Sequence, residues 1–158
     1  MKALVITDNC EVAEDVSLWF QVRWPEATLI CTADGNTGTE LAKVKWPDII
    51  VLDLDLPGAD GCDIADGCDI FDDICLFSNA PLIVLTSSNE EMDKALVLEL
   101  GADCCLSEPL SRVELLARVG ALLRRTRMAE HQKGNLLRNW QRTRVTNLIS
   151  PMSIYAAN

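Results

Sequence analysis

Residues 47–57 read PDIIVLDLDLP. The run DIIVLD (48–53) is nearly unbroken in apolar, β-branched character, and carboxylates and Pro57 then stop it. A strand that is apolar on both faces must be covered on both faces, which is the condition of a parallel sheet between two layers of helices. In such a sheet the chemistry gathers at the carboxyl ends of the strands, and Asp53 stands at this one.

Four more segments share the pattern: KALVIT (2–7), ATLICT (27–32), PLIVLT (81–86) and, more weakly, ADCCLS (102–107). Helix-like stretches separate them at Glu11–Val22, Gly38–Val44, after Gly61 and at Glu90–Leu100. A last one, Ser111–Arg125, carries an apolar stripe of Leu110, Val113, Leu115, Leu116, Val119, Leu122 and Leu123, with Ser111 as its N-cap. Five β-then-α units predict an α/β protein: a three-layer, doubly wound, five-stranded parallel sheet with a C-terminal tail.

The strand ends can be read directly. They are Thr7-Asp8-Asn9, Asp53-Leu54-Asp55, Thr86-Ser87-Ser88 and Ser107-Glu108-Pro109, which share one rim. Clustered carboxylates are costly unless a cation neutralises them. Asp8 and Asp53, with a backbone carbonyl near Asp55, make an all-oxygen Mg²⁺ site completed by water. Taken singly, each of these residues is equally a solvated start of a loop.

Composition narrows the class. Of 158 residues 49% are apolar, yet no apolar run approaches the ~20 residues of a membrane span, and MKALVITDN turns polar too early for a secretory signal. Seven cysteines (10, 31, 62, 68, 75, 104, 105) at irregular spacing, no CxxC and a single His131 argue against zinc or a disulfide framework. Free thiols in a reducing cytoplasm are the expectation. Residues 1–123 hold seven Lys/Arg against 23 Asp/Glu, a net charge of −16, whereas residues 124–158 hold seven basic residues against Glu130, a net of +6. That contrast predicts two modules, or one module and part of another.

Three stretches carry a resemblance: PDIIVLDLDLPGADG (47–61), IVLTSS (83–88) and LELGADCCLSEPLSRVELLARVGALLRR (98–125). Over residues 2–125 the chain resembles the receiver domain of bacterial two-component response regulators. Within that family DKALVLELGAD (93–103) and ELLARVGALLRR (114–125) are similar to the OmpR/PhoB-type transcription factors. The resemblance implies a flavodoxin-like fold with strand order 2-1-3-4-5 and a receiver domain at 1–126. It implies Asp53 as phosphoacceptor from a sensor histidine kinase, Mg²⁺ as cofactor and Thr86 as switch hydroxyl. It further implies a phosphorylated switch rather than a turnover enzyme, signalling to transcription as a homodimer through the last two helices and last strand, with salt bridges Lys94–Glu114 and Glu99–Arg125 across that interface.

Four positions depart from the family pattern. Glu108 stands where the family has a lysine that grips the phosphoryl oxygens. Two unit charges ~4 Å apart at an effective dielectric of ~20 interact by roughly 4 kcal/mol, so exchanging attraction for repulsion weighs against the active state. Thr7 replaces the first residue of the usual acidic pair, lowering the negative charge around Mg²⁺. Cys105 replaces the aromatic rotamer switch, and Arg118 finds Cys104 where a partner carboxylate is expected. These departures motivate a second reading, a phosphorylation-independent pseudo-receiver acting as an interaction and dimerisation module. A third, a haloacid-dehalogenase-like phosphatase built on Asp53-Leu54-Asp55 and Thr86, lacks the catalytic lysine and a cap, and has Pro57 where Thr or Val belongs.

The hexapeptide ADGCDI occurs twice in tandem at residues 59–70. Deleting one copy restores the family's spacing between Asp53 and Thr86, so the second copy reads as an insertion. Six helical residues turn through roughly 600°, about 240° out of register, which places the extra unit in the loop after the third strand. Phe71, Ile74, Leu76 and Phe77 are then expected to keep core contacts. A calcium loop built on Asp60, Asp63, Asp66 and Asp69 is the alternative, though EF-hand ligands fall at every second position and end in a glutamate.

Residues 127–158 read as a linker and basic tail. GNLLRNWQRTRVT (134–146) resembles the opening strands of the winged-helix DNA-binding domain of OmpR/PhoB-type proteins, and LISPMSIYAA (148–157) the start of its first helix. The basic residues suit phosphates, but DNA is a partner only if a complete output domain exists.

Overall fold

The computed structural model describes residues 1–56 and 69–149, with side chains as far as residue 138. The chain divides into two compact units, Met1–Leu123 and Arg124–Asn158.

The first unit alternates strand and helix as its hydrophobic pattern predicts. The strands are β1 (Lys2–Ile6), β2 (Thr28–Thr32), β3 (Ile49–Asp53), β4 (Leu82–Thr86) and β5 (Cys104–Ser107). The helices are α1 (Cys10–Arg23), α2 (Gly35–Lys45), α3 (Asp69–Phe77), α4 (Glu91–Leu100) and α5, which begins at Arg112. All strand pairs are parallel and the order is β2-β1-β3-β4-β5. β3 and β4 are buried at every position, whereas β2, at the edge, is half exposed.

Alternation along the strands divides the core into two layers. Ala3, Val5, Ile49, Val51, Ile83, Leu85, Cys104 and Leu106 meet Val16 and Phe20 of α1 and Leu115, Val119, Leu122 and Leu123 of α5. Leu4, Ile6, Ile50, Leu52, Leu82 and Val84 face the opposite way, toward Ala42 of α2, Phe71 and Ile74 of α3 and Val97 of α4. Gly38 permits close packing of α2 on β1, since a Cβ there would lie 2.5 Å from Ile6 Cδ1. Local signals set the helix starts: Asn9 Oδ1 accepts from the Glu11 and Val12 amides, Asp34 from Thr37, and Ser111 Oγ from Glu114.

Two expectations change. Leu76 and Phe77 do not join the core with Phe71 and Ile74; they are 75% and 53% exposed. At 100° per residue Ile74 returns to the side of Phe71, whereas Leu76 is carried about 140° away. The second is the tail: instead of a linker and a β-like stretch at 134–146, α5 continues as helix to Ile149. Between 112 and 149 there is no proline and there are only two glycines, while Leu, Arg, Ala, Met, Glu and Gln favour helix. Within the chain Arg118 pairs with Glu114 one turn away, at 3.8 Å. The doubled ADGCDI unit lies outside the described residues except for Asp69 and Ile70, which open α3, and most of 148–157 lies outside them too.

Candidate functional site

The parallel register delivers the site. Ile6 pairs with Leu52 and Asp53 with Leu85, so Thr7 follows β1 beside Asp53, and Thr86 lies one residue beyond Asp53's partner on the next strand. Thr7, Asp53 and Thr86 are each 4% exposed. Asp8, next along the chain, is exposed.

Both carboxylate oxygens of Asp53 are held. Thr7 Oγ1 donates to Oδ2 at 2.7 Å, and the Asp55 amide donates to Oδ1 at 3.0 Å. Thr7 Oγ1 in turn accepts from the Asn9 amide at 3.1 Å, fixing the direction of its proton. The Asp55 carboxylate accepts from the Ser87 amide at 2.7 Å, tying the loop after β3 to the end of β4. Thr86 Oγ1 accepts from the Ser88 amide at 3.1 Å, and Ser88 Oγ donates to Asp93 at 2.6 Å. The main-chain amides of Asn9, Asp55 and Ser87 and the Asp93 carboxylate are the contributors that sequence reading missed. Backbone donors leave no residue-type signature, and Asp93 reads as one more helix-start acid.

Glu108 closes the acidic side. Its amide donates to the Thr86 carbonyl at 3.0 Å, continuing the β5 ladder past Ser107. Burial pushes its carboxyl above the usual carboxylate range, and the nearby charges of Asp53 and Asp55 push it further. Among the described residues, no cationic side chain forms an ion pair with any of the three.

The donor chemistry fits a hard divalent ion. Asp8, Asp53 and main-chain oxygen near Asp55 would offer only oxygen donors, which suits Mg²⁺, an ion that retains several waters beside one or two carboxylates. Among the described residues no group of three His, Cys, Asp or Glu side chains lies close enough to hold a metal, so a Mg²⁺ ion held here would rest on fewer carboxylates and more water. Thr7, in place of an acid, is the structural reason.

Of the interface residues read from sequence, Glu99, Glu114 and Arg118 are exposed and Lys94 is half-buried, on α4 and α5 of the first unit. Arg125, also exposed, belongs to the second unit. Cys105 packs on the layer facing α4 and Cys104 on the layer facing α5; burial pushes both thiols up, opposed at Cys105 by Lys94 and at Cys104 by Arg118. The described cysteines are all free thiols. Among the described residues no helix is long and apolar enough to cross a membrane.

Comparison with known proteins agrees with this geometry. Residues 3–120 match the family described as response regulator receiver domain. The BeF3-activated N-terminal receiver domain of Klebsiella pneumoniae RstA is similar at 26% identity and a TM-score of 0.67, covering 78% of this chain and 99% of that one. The receiver domain of Francisella response regulator 1452 is similar at 27% identity and a TM-score of 0.62, over 79% and 98% of the two chains. A CheY-like receiver domain protein from Methanospirillum hungatei JF-1 shares the fold at 14% identity and a TM-score of 0.68, over 81% and 97%. With β3 ending in a buried, doubly held aspartate and the family match spanning the sheet and its helices, this chain belongs to the response regulator receiver domain family.

Proposed function

We propose that this domain acts in a two-component phosphorelay, taking a phosphoryl group on Asp53 from a sensor histidine kinase in the cytoplasm. The observation that carries the reading is the buried Asp53 carboxylate, oriented at the end of β3 by the Thr7 hydroxyl and the Asp55 amide. An Asp53 oxygen attacks the phosphorus of a phosphohistidine in line. The new O–P bond forms as the N–P bond breaks, and the imidazole leaves with the bonding pair. Asp8, Asp53 and the main chain at Asp55 would hold Mg²⁺, which when bound supplies positive charge to the phosphoryl oxygens. Thr86, one residue beyond Asp53's neighbour on β4, accepts from the Ser88 amide and keeps its own proton to donate to a phosphoryl oxygen, so it is the hydroxyl suited to report the added group. The product is a switch state, with output by homodimerisation through α4, β5 and α5 to transcription regulation.

One observation favours a second reading, a pseudo-receiver that binds partners without phosphorylation. Glu108 places a carboxyl within electrostatic reach of Asp53 and Asp55, at the position where the phosphoryl group needs a cation. A single experiment separates the two. The chain is incubated with Mg²⁺ and acetyl phosphate, and its intact mass and sedimentation are compared with those of Asp53→Asn. Stoichiometric uptake with a shift toward dimer, both absent in Asp53→Asn, supports the phosphoacceptor. No uptake, with identical sedimentation for the two proteins, supports the interaction module.

A further inference from the structure

Beyond Leu123 the α5 helix belongs to the second unit, and its charge is of one sign. Residues 124–158 hold six arginines and one lysine against Glu130 as the single acid. At 100° per residue Arg124, Arg127, His131 and Arg138 fall within a sector of about 60°, a stripe about 21 Å long. Glu130 stands outside that sector. All four stripe residues are exposed, and among the described residues none of the three arginines pairs with a carboxylate.

Gly134 adds an independent observation. It lies on the same side of the helix, one turn before Arg138. A glycine inside a helix destabilises it relative to alanine. Gly38 has a reason within the fold, because a Cβ there would collide with Ile6. Gly134 has none: a Cβ there meets only Arg138 Nη2, at 3.7 Å, an ordinary contact. The missing side chain leaves room for something outside the chain to approach the helix backbone. Arg138 Nε donates to the Gly134 carbonyl at 3.3 Å, which anchors the guanidinium beside that gap through one nitrogen.

We propose that α5 beyond Leu123 binds the phosphate backbone of duplex DNA without regard to sequence. The stripe lies along the phosphates, and Gly134 lets the helix come close to them. Arginine offers paired N–H groups that match a phosphate bidentately, and six of the seven basic residues are arginine. An anionic lipid surface requires an apolar face opposite the charged one. Met128, Leu136 and Leu137, the exposed large apolar residues between 124 and 138, are spread over about half the helix circumference and form no such face. The first unit, with its net charge of −16, repels a polyanion, so affinity for DNA comes from α5. The proposal goes beyond the phosphoacceptor reading and does not rest on it.

The test uses the full chain and fluorescein-labelled DNA duplexes of two unrelated sequences. Saturable binding is expected by fluorescence anisotropy, equal for both duplexes and weakening steeply between about 50 and 200 mM salt. Arg124→Gln/Arg127→Gln/Arg138→Gln should weaken it about tenfold. The slope of log K against log[salt] should become shallower by roughly 2.7, which is three phosphate contacts at about 0.9 each. Gly134→Leu should also weaken binding, although leucine favours the helix. Glutamine keeps the helix propensity of arginine, and unchanged circular dichroism confirms that both variants fold. Absence of saturable binding by the parent, or parent-like binding by either variant, overturns the proposal. So does retention of the parent by phosphatidylserine vesicles in preference to the duplex, or displacement of the duplex by an equal charge of polyglutamate. Self-association of the parent that the triple variant abolishes would assign the stripe to the acidic unit of a second copy and overturn it equally.

Discussion

The Thr7 hydroxyl donates to Asp53 Oδ2 across 2.7 Å, between two residues that are each 96% removed from solvent. The bond takes the place of electrostatic repulsion. An acid at position 7 would need a cation to lie beside Asp53, whereas a threonine satisfies Asp53 with no ion present. Thr7→Val removes that donor from a buried carboxylate, and we expect a loss of about 1–3 kcal/mol in urea unfolding. Thr7→Asp should do the opposite to the metal site: Mg²⁺ binding, followed by tryptophan fluorescence, becomes tighter, and stability becomes Mg²⁺-dependent. A Thr7→Asp protein with unchanged Mg²⁺ affinity would show that residue 7 does not govern the ion.

Glu108 makes stability depend on pH. Its carboxyl lies above its ordinary value of 4.5, by burial first and by Asp53 and Asp55 second. Between 4.5 and its folded value the native state binds more protons than the unfolded chain, so its contribution is complete below 4.5 and is lost as pH rises through the folded value. Glu108→Gln should flatten that part of the profile and melt higher than the parent at neutral pH. A scan of melting temperature from pH 4 to pH 8 reads both.

Glu108→Lys tests the same position for function. It replaces repulsion with attraction beside Asp53, and acetyl phosphate labelling with Mg²⁺ should become faster, with Asp53→Asn in that background unlabelled. Labelling unchanged by the substitution would mean that charge at position 108 does not limit phosphotransfer.

Gly38 tests the packing of α2 on β1. A Cβ at that position meets Ile6 Cδ1 at 2.5 Å and Cγ1 at 2.8 Å. Gly38→Ala should cost about 1–3 kcal/mol, as overpacking does, despite alanine's better helix propensity. Urea denaturation of parent and variant measures it.

Trp46 is the opposite case. Its φ of 51° suits glycine, and its side chain is 80% exposed. Trp46→Gly should therefore raise stability by about 1 kcal/mol, the size of the left-handed penalty it relieves. A fall in melting temperature would show that the indole packs on the domain.

Much of the fold was legible because strands buried on both faces write an unmistakable pattern. Each of the five apolar runs became a strand with ends within two residues of its reading, and Asp53 was placed by the end of IIVLD alone. α3 was less legible. Phe71 and Leu76 are both apolar, and only the helix start at Asp69 decides that the first is buried and the second exposed. The tail was misread because sequence similarity to a strand opening outweighed local propensity, which favoured the helix that forms through Ile149.

The amino-acid sequence by itself determined the parallel sheet, its carboxyl rim and the residues delivered there, because burial of alternating and continuous apolar runs is a local property of the chain. Tertiary structure alone decided which of those residues interact. Thr7 and Asp53 are 46 positions apart and meet only because β1 and β3 are paired in one register. Glu108 acquires its raised carboxyl only when the fold after β5 buries it and brings it into the field of Asp53 and Asp55. Hydrogen bonds and charge–charge effects depend on distances of a few ångströms, and those distances exist only in the folded sheet.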